Sequence, residues 1–139
     1  MSDALKTKIL ELFENQKTGT LATIQDQKPY SRFMLFFHDD LTLYTATNKE
    51  THKVDDIGQE PNVHILLGAQ DANPSGAYCE IEATASIEDS KDKKEKYWDD
   101  SLSKWLGGPN DPNYVLLQLK PQKIRYFADS ASKAELLEL

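Results

Sequence analysis

Hydrophobic and polar positions alternate along this chain with two periods, and each change of period marks an element. Over residues 3–16, Leu5, Ile9, Leu12 and Phe13 fall at helical spacing among lysines and glutamates. That spacing predicts an amphipathic helix capped by Ser2 or Asp3, a scaffold piece covering a barrel opening. Residues 19–24 shift to a strand pattern, and Asp26-Gln27-Lys28-Pro29 predicts a turn. The stretch 29–54 then reads as a strand, an acidic turn at Asp39-Asp40, a second strand, and a polar segment opening a short helix that stops near Gly58. Period-2 alternation sets Arg32, Met34 and Phe36 on one face and Phe33, Leu35 and Phe37 on the other, while Leu43, Thr45 and Thr47 share a face of the next strand.

Further along, residues 63–67 form a largely apolar strand and residues 70–76 a loop. Residues 78–87 alternate as a longer strand, with Cys79, Ile81, Ala83 and Ala85 opposite Glu80, Glu82 and Thr84. Residues 89–106 have helical character: a mixed-charge first half, then a half whose Trp98 and Trp105 would share a buried face. Residues 114–119 and 123–127 read as two strands broken at Pro121, and 131–139 as a terminal helix. No repeat, linker or composition break divides the chain, so 1–139 is expected to be a single domain. Six or seven strands with few helices predict a mainly β fold, a small barrel with flanking helices.

Composition narrows the function. The 139 residues are 39% hydrophobic and 28% charged, ordinary for a soluble globular protein, with a net charge of −7. That acidity argues against nucleic-acid or anionic-membrane partners, which need a broad basic surface, but leaves room for one local positive pocket. A lone cysteine excludes an internal disulfide, and Cys79 reads as a packed side chain. His38, His52 and His64 lack metal-site spacing. Glycine-rich dinucleotide, Walker and nucleophile-elbow motifs do not occur. The N-terminus lacks a signal-peptide profile and no run nears membrane-spanning length, so a cytoplasmic location is the expectation. Glu80 and Glu82 invite an acid/base reading, against which stands that of a solvated strand face.

The candidate chemistry lies in the stretch 29–54. Arg32 on its first strand and Lys53 in the first turn of its helix bracket Thr45, Thr47, Asn48, Thr51 and His52. A guanidinium fork, an ammonium, hydroxyls and helix N-terminal amides together can hold a phosphate. The same residues also suit an amphipathic hairpin with one snorkelling arginine and a helix that happens to be basic.

Arg32-Phe33-Met34, Tyr44-Thr45-Ala46-Thr47, Thr51-His52-Lys53-Val54 and Asn62-Val63, followed by Tyr97-Trp98, Trp105-Leu106 and Gly107-Gly108-Pro109-Asn110-Asp111-Pro112, occur in the order found in one family. Over residues 8–127 the chain resembles the pyridoxamine 5'-phosphate oxidase-like FMN-binding split barrels, in their bacterial general stress protein branch. The resemblance implies an antiparallel, Greek-key-like split β-barrel, a homodimer with two flavin sites, and FMN as cofactor. It implies that Arg32 and Lys53 pair with the FMN phosphate, with Thr51 and His52 assisting. Phe33 and Met34 would run along the isoalloxazine ring, Tyr44, Thr45, Ala46 and Thr47 would line the ribityl chain or phosphate, and Trp105 and Phe127 would neighbour the ring. Phe33 stands where the family usually has proline. Residues 128–139 offer no counterpart to the arginine-rich segment that holds the vitamin substrate in true pyridoxamine phosphate oxidases. The implied function is a flavin-dependent small-molecule oxidoreductase, with a nicotinamide nucleotide as candidate donor, no named catalytic residue and no metal. The alternative is a module that binds or senses FMN, haem or a deazaflavin without turnover.

Overall fold

The computed structural model describes residues 3–69 and 76–139. Its elements are α1 (Asp3–Asn15), β1 (Thr18–Gln25), β2 (Lys28–Asp39), β3 (Thr42–Asn48), α2 (His52–Gln59), β4 (Asn62–Gly68), β5 (Tyr78–Glu88), α3 (Lys91–Lys96), a 3₁₀ turn (Asp100–Lys104), β6 (Tyr114–Phe127) and β7 (Glu135–Glu138). Expectations for Ser2 and for loop residues 70–75 lie outside the described residues.

Two hairpins start the sheet. Asp26 and Gln27 both take positive φ, 51° and 66°, the backbone sign of the two-residue turn whose twist matches that of the flanking strands. Gln25 and Lys28 pair across it, so Lys28 and Pro29 belong to β2 rather than to the turn. The β2–β3 connection turns at Asp40, and Asp39 pairs with Thr42. Because β4 returns through α2 to pair with β1, the spatial order 4-1-2-3 is a Greek key. The seven strands run β3-β2-β1-β4-β5-β6-β7, and an antiparallel β3–β6 pairing closes the first six into a barrel. Closure leaves no free edge between these strands. At Gly19, wedged between β2 and β4, an added Cβ would sit 2.5 Å from the Leu66 carbonyl oxygen, so only glycine permits this strand spacing.

The barrel interior is one apolar cluster, including Leu21, Ile65, Ile81, Leu117, Leu119 and Ile124. Leu5, Ile9, Leu12 and Phe13 of α1 join it and stopper one opening. Cys79 is buried within it, and desolvation pushes its thiol up to about 12, so it packs as an uncharged side chain.

The 63–67 strand is present as β4 and alternates: Val63, Ile65 and Leu67 face the core while Leu66 is 40% exposed, because only one face of β4 is covered. Three expectations are corrected. Residues 89–106 do not form one helix. Asp99 Oδ1 accepts from the Ser101 amide at 2.9 Å and starts a new turn, splitting α3 from the 3₁₀ segment. The two tryptophans therefore share no face: Trp98 packs edge-on against Tyr114, and Trp105 is 66% exposed. Pro121 does not divide the last strand, because it sits where the register with β5 shifts, and a bulge tolerates a residue without an amide donor. The segment after Phe127 yields β7, not a helix. A short segment nucleates a helix poorly, whereas pairing with β6 satisfies its backbone and buries Leu137.

Candidate functional site

Outside the barrel, β3 carries a second apolar layer. Tyr44 and Ala46 meet Tyr97, Leu102, Leu106, Tyr114 and Leu116, and this layer fastens the 3₁₀ segment to the outer face of β2 and β3. The loop that follows is tied by Asp111, whose carboxylate accepts from the amides of Gly107 at 2.7 Å and Asn113 at 2.9 Å. Asn113 in turn accepts from the Lys49 amide at 2.8 Å, joining that loop to the end of β3.

Between this layer and the β2–β3 strands lies a cavity of about 520 Å³, within the ~300–1,000 Å³ typical of small-molecule sites. Eight of the twelve predicted site residues line it: Arg32, Phe33, Met34, Ala46, Thr47, Thr51, Lys53 and Trp105. Arg32 and Lys53 stand close enough in it for one charge to act on the other. Burial lowers the Lys53 ammonium below its ordinary range, and the nearby Arg32 charge pushes it the same way. Burial also lowers Arg32, opposed by the Asp56 carboxylate. Among the described residues neither cation makes an ion pair, so two like charges share a partly desolvated place with no contacting counterion. That is the electrostatics of an anion site.

The helix start adds to it. Thr51 stands at the α2 N-cap in extended conformation but makes no capping bond; its hydroxyl donates instead to the Asn48 carbonyl at 2.9 Å and lies 3.1 Å from the Thr47 hydroxyl. The first-turn amides of α2 thereby lack that side-chain acceptor. The same lining includes Phe33, 80% exposed, and Trp105, 66% exposed, an aromatic mouth.

Three of the remaining predicted residues, Tyr44, Thr45 and Phe127, are placed elsewhere. Tyr44 turns into the outer layer, stacked on Tyr97 at 4.6 Å, with its hydroxyl 3.3 Å from both Gln118 and Lys93. Thr45 points inward, fully buried, and donates to the Leu35 carbonyl at 2.7 Å. Phe127 stacks on Tyr78 at 4.6 Å. His52 opens α2, and its backbone alone is described. Glu80 and Glu82 are outside the cavity lining: their register partners on β6 are Arg125 and Lys123, and Glu82 pairs with Arg125 at 2.5 Å.

Sequence reasoning missed Thr18, Leu35, Ser101, Leu102, Lys104 and Leu106 in the lining, and Thr23 and Asp56 behind Arg32. The Asp-Asp-Ser capping signal at residues 99–101 would have located the 3₁₀ segment; nothing local marked Thr23 or Asp56.

A closed Greek-key barrel carrying an anion-ready cavity on its outer β2–β3 face defines a small split-barrel protein. The chain belongs to the pyridoxamine 5'-phosphate oxidase family, which matches residues 5–128. It is 44% identical over 135 residues to General stress protein 26 of Bacillus subtilis (strain 168), covering 97% of this chain and 96% of that one. The crystal structure of General Stress Protein 26 from Bacillus anthracis str. Sterne superposes with a TM-score of 0.87 at 43% identity, over 97% of this chain and 98% of that one. A heme binding protein from Mycobacterium smegmatis shares the fold, with a TM-score of 0.81 at 10% identity over 99% of this chain and 59% of that one.

Proposed function

We propose that the protein binds FMN in this cavity and serves as a flavin-dependent oxidoreductase on a small molecule. One observation carries the reading: Arg32 and Lys53, two partly desolvated cations without a contacting counterion, line the same cavity as the exposed rings of Phe33 and Trp105. An FMN molecule has groups that match this lining, a phosphate for the cations and a planar ring for the aromatic side chains. Arg32, Lys53 and the α2 start would hold the phosphate, Thr47 and Thr51 the polar chain, and Phe33, Met34, Leu102 and Trp105 the ring. When bound, the flavin supplies hydride and electron transfer; the chain's residues bind it, orient it and exclude water. The exposed Phe33 and Trp105 favour a homodimer in which a second copy covers the mouth. The 128–139 segment contains no arginine, so a vitamin phosphate is not the substrate proposed.

A second reading has its own support. Among the described side chains lining the cavity there is no histidine, carboxylate, cysteine or tyrosine, and of its two lysines, Lys53 is the one assigned to the phosphate, which leaves Lys104 as the only other proton-transfer group there. A module that holds FMN, or another anionic cofactor such as haem, without turnover fits that lining. One pair of measurements separates the readings. Added FMN is expected to raise the melting temperature by binding the folded state preferentially, and NADH or NADPH is expected to reduce the bound flavin anaerobically with reoxidation over many cycles. A melt unmoved by FMN sinks the cofactor assignment. Bound flavin that no nicotinamide donor reduces leaves the binding module.

A further inference from the structure

Arg32 reaches the cavity from the core-facing side of β2, so something must aim its guanidinium. Its Nη1 donates to Thr23 Oγ1 at 2.7 Å and lies 3.4 Å from the Leu21 carbonyl oxygen. Thr23 is fully buried on β1, and its hydroxyl lies 3.5 Å from Oδ2 of Asp56 on α2, a carboxylate only 6% exposed. The roles in this relay are forced by chemistry. A guanidinium has donors only and a carboxylate acceptors only, so the hydroxyl accepts from Arg32 and points its hydrogen at Asp56.

A purely packing role explains the threonine poorly. Valine has nearly the same shape and would suit a site beside Leu21, and burying a hydroxyl is costly unless it is bonded on both sides. The two groups that bond it are a cation of the cavity wall and a residue of α2, the helix that also carries Lys53.

We propose that Thr23 is a positioning residue for anion recognition: oriented by Asp56, its hydroxyl anchors one arm of Arg32 and leaves the other guanidinium donors for a phosphate monoester. The inference rests on the phosphate reading above. It adds that the preference for a phosphorylated flavin is set by a side chain that does not line the cavity.

The test titrates FMN and riboflavin, which share ring and ribityl chain and differ by the phosphate, into the full chain by flavin fluorescence. Wild type is expected to prefer FMN, and Thr23→Ser, which keeps the hydroxyl, to match it. Thr23→Val is expected to lose roughly tenfold in FMN affinity, the scale of one hydrogen bond to a charged group, with riboflavin affinity unchanged. A variant that weakens both flavins equally, or keeps the wild-type FMN-to-riboflavin ratio, overturns the proposal. Wild type binding both flavins equally overturns the phosphate reading itself. Should Thr23→Val fail to fold, the double variant with Asp56→Leu leaves no buried carboxylate without its donor and carries the same test. Removing that negative charge alone favours FMN, so the reference is Asp56→Leu by itself: a lower FMN-to-riboflavin ratio in the double variant than in Asp56→Leu supports the relay, and an equal ratio overturns it.

Discussion

Strand β3 is buried on both faces, yet its two faces meet different fates. Inward, Leu43 joins Ile65, Ile81, Leu117, Leu119 and Ile124 in a closed core. Outward, Tyr44 and Ala46 meet a layer built from Tyr97, the 3₁₀ turn, Leu106 and the start of β6, and that layer stops short at Trp105, leaving the cavity. Regular strands hydrogen-bonded into a closed cylinder converge on their own axis and fill it. Short segments that cap themselves have no such constraint. The inner face therefore provides stability and the outer face a place to bind.

The largest expected effect lies inside. Leu117→Ala, at a position with no exposure, should cost about 2–5 kcal/mol in urea unfolding while the FMN affinity of the folded protein stays at wild type. A loss of affinity as large as the loss of stability would dissolve the distinction between the two faces.

Next come the two cations of the cavity. Arg32→Ala should weaken FMN binding by about 2–3 kcal/mol, the scale of a desolvated charge-assisted contact, with a much smaller change in melting temperature. Calorimetry returning equal affinities would move the phosphate away from β2.

The smallest effect is one of pH. Burial and Arg32 hold the Lys53 ammonium below the ordinary lysine value of 10.5, so in the free protein it loses its charge early as pH rises. A bound phosphate dianion favours the charged form and raises that pKa again. FMN affinity should thus be fullest below the lowered value and decline as pH climbs through it toward 10.5. Lys53→Arg, which keeps its charge, should abolish the alkaline decline. An identical decline in that variant would assign the titration to another group.

Much of the site was legible because it is local. Arg32-Phe33-Met34, Thr47, Thr51 and Lys53 lie within a few turns of chain, where strand alternation and a helix start already set which way side chains point. Tyr44 and Thr45 were named through the resemblance, and alternation alone shows that such neighbours face opposite ways but not which layer covers each face. Trp105 was found through its Trp105-Leu106 motif, whereas Leu102 was not, because the helix expected there breaks at Asp99. Thr23 and Asp56 were invisible: they are 33 positions apart and meet only when α2 packs on β1.

By itself, the sequence determined the period of nearly every element, the barrel class, and the pairing of an arginine strand with a lysine-bearing helix start. Those are short-range properties, written in the spacing of apolar residues and caps. Tertiary structure decided the rest. It merged the last two strands over the Pro121 bulge, drew residues 135–138 onto β6 as a strand, and set Thr23 between Arg32 and Asp56. Each of these depends on a partner remote in sequence, whose hydrogen bonds or buried surface outweigh a weak local preference.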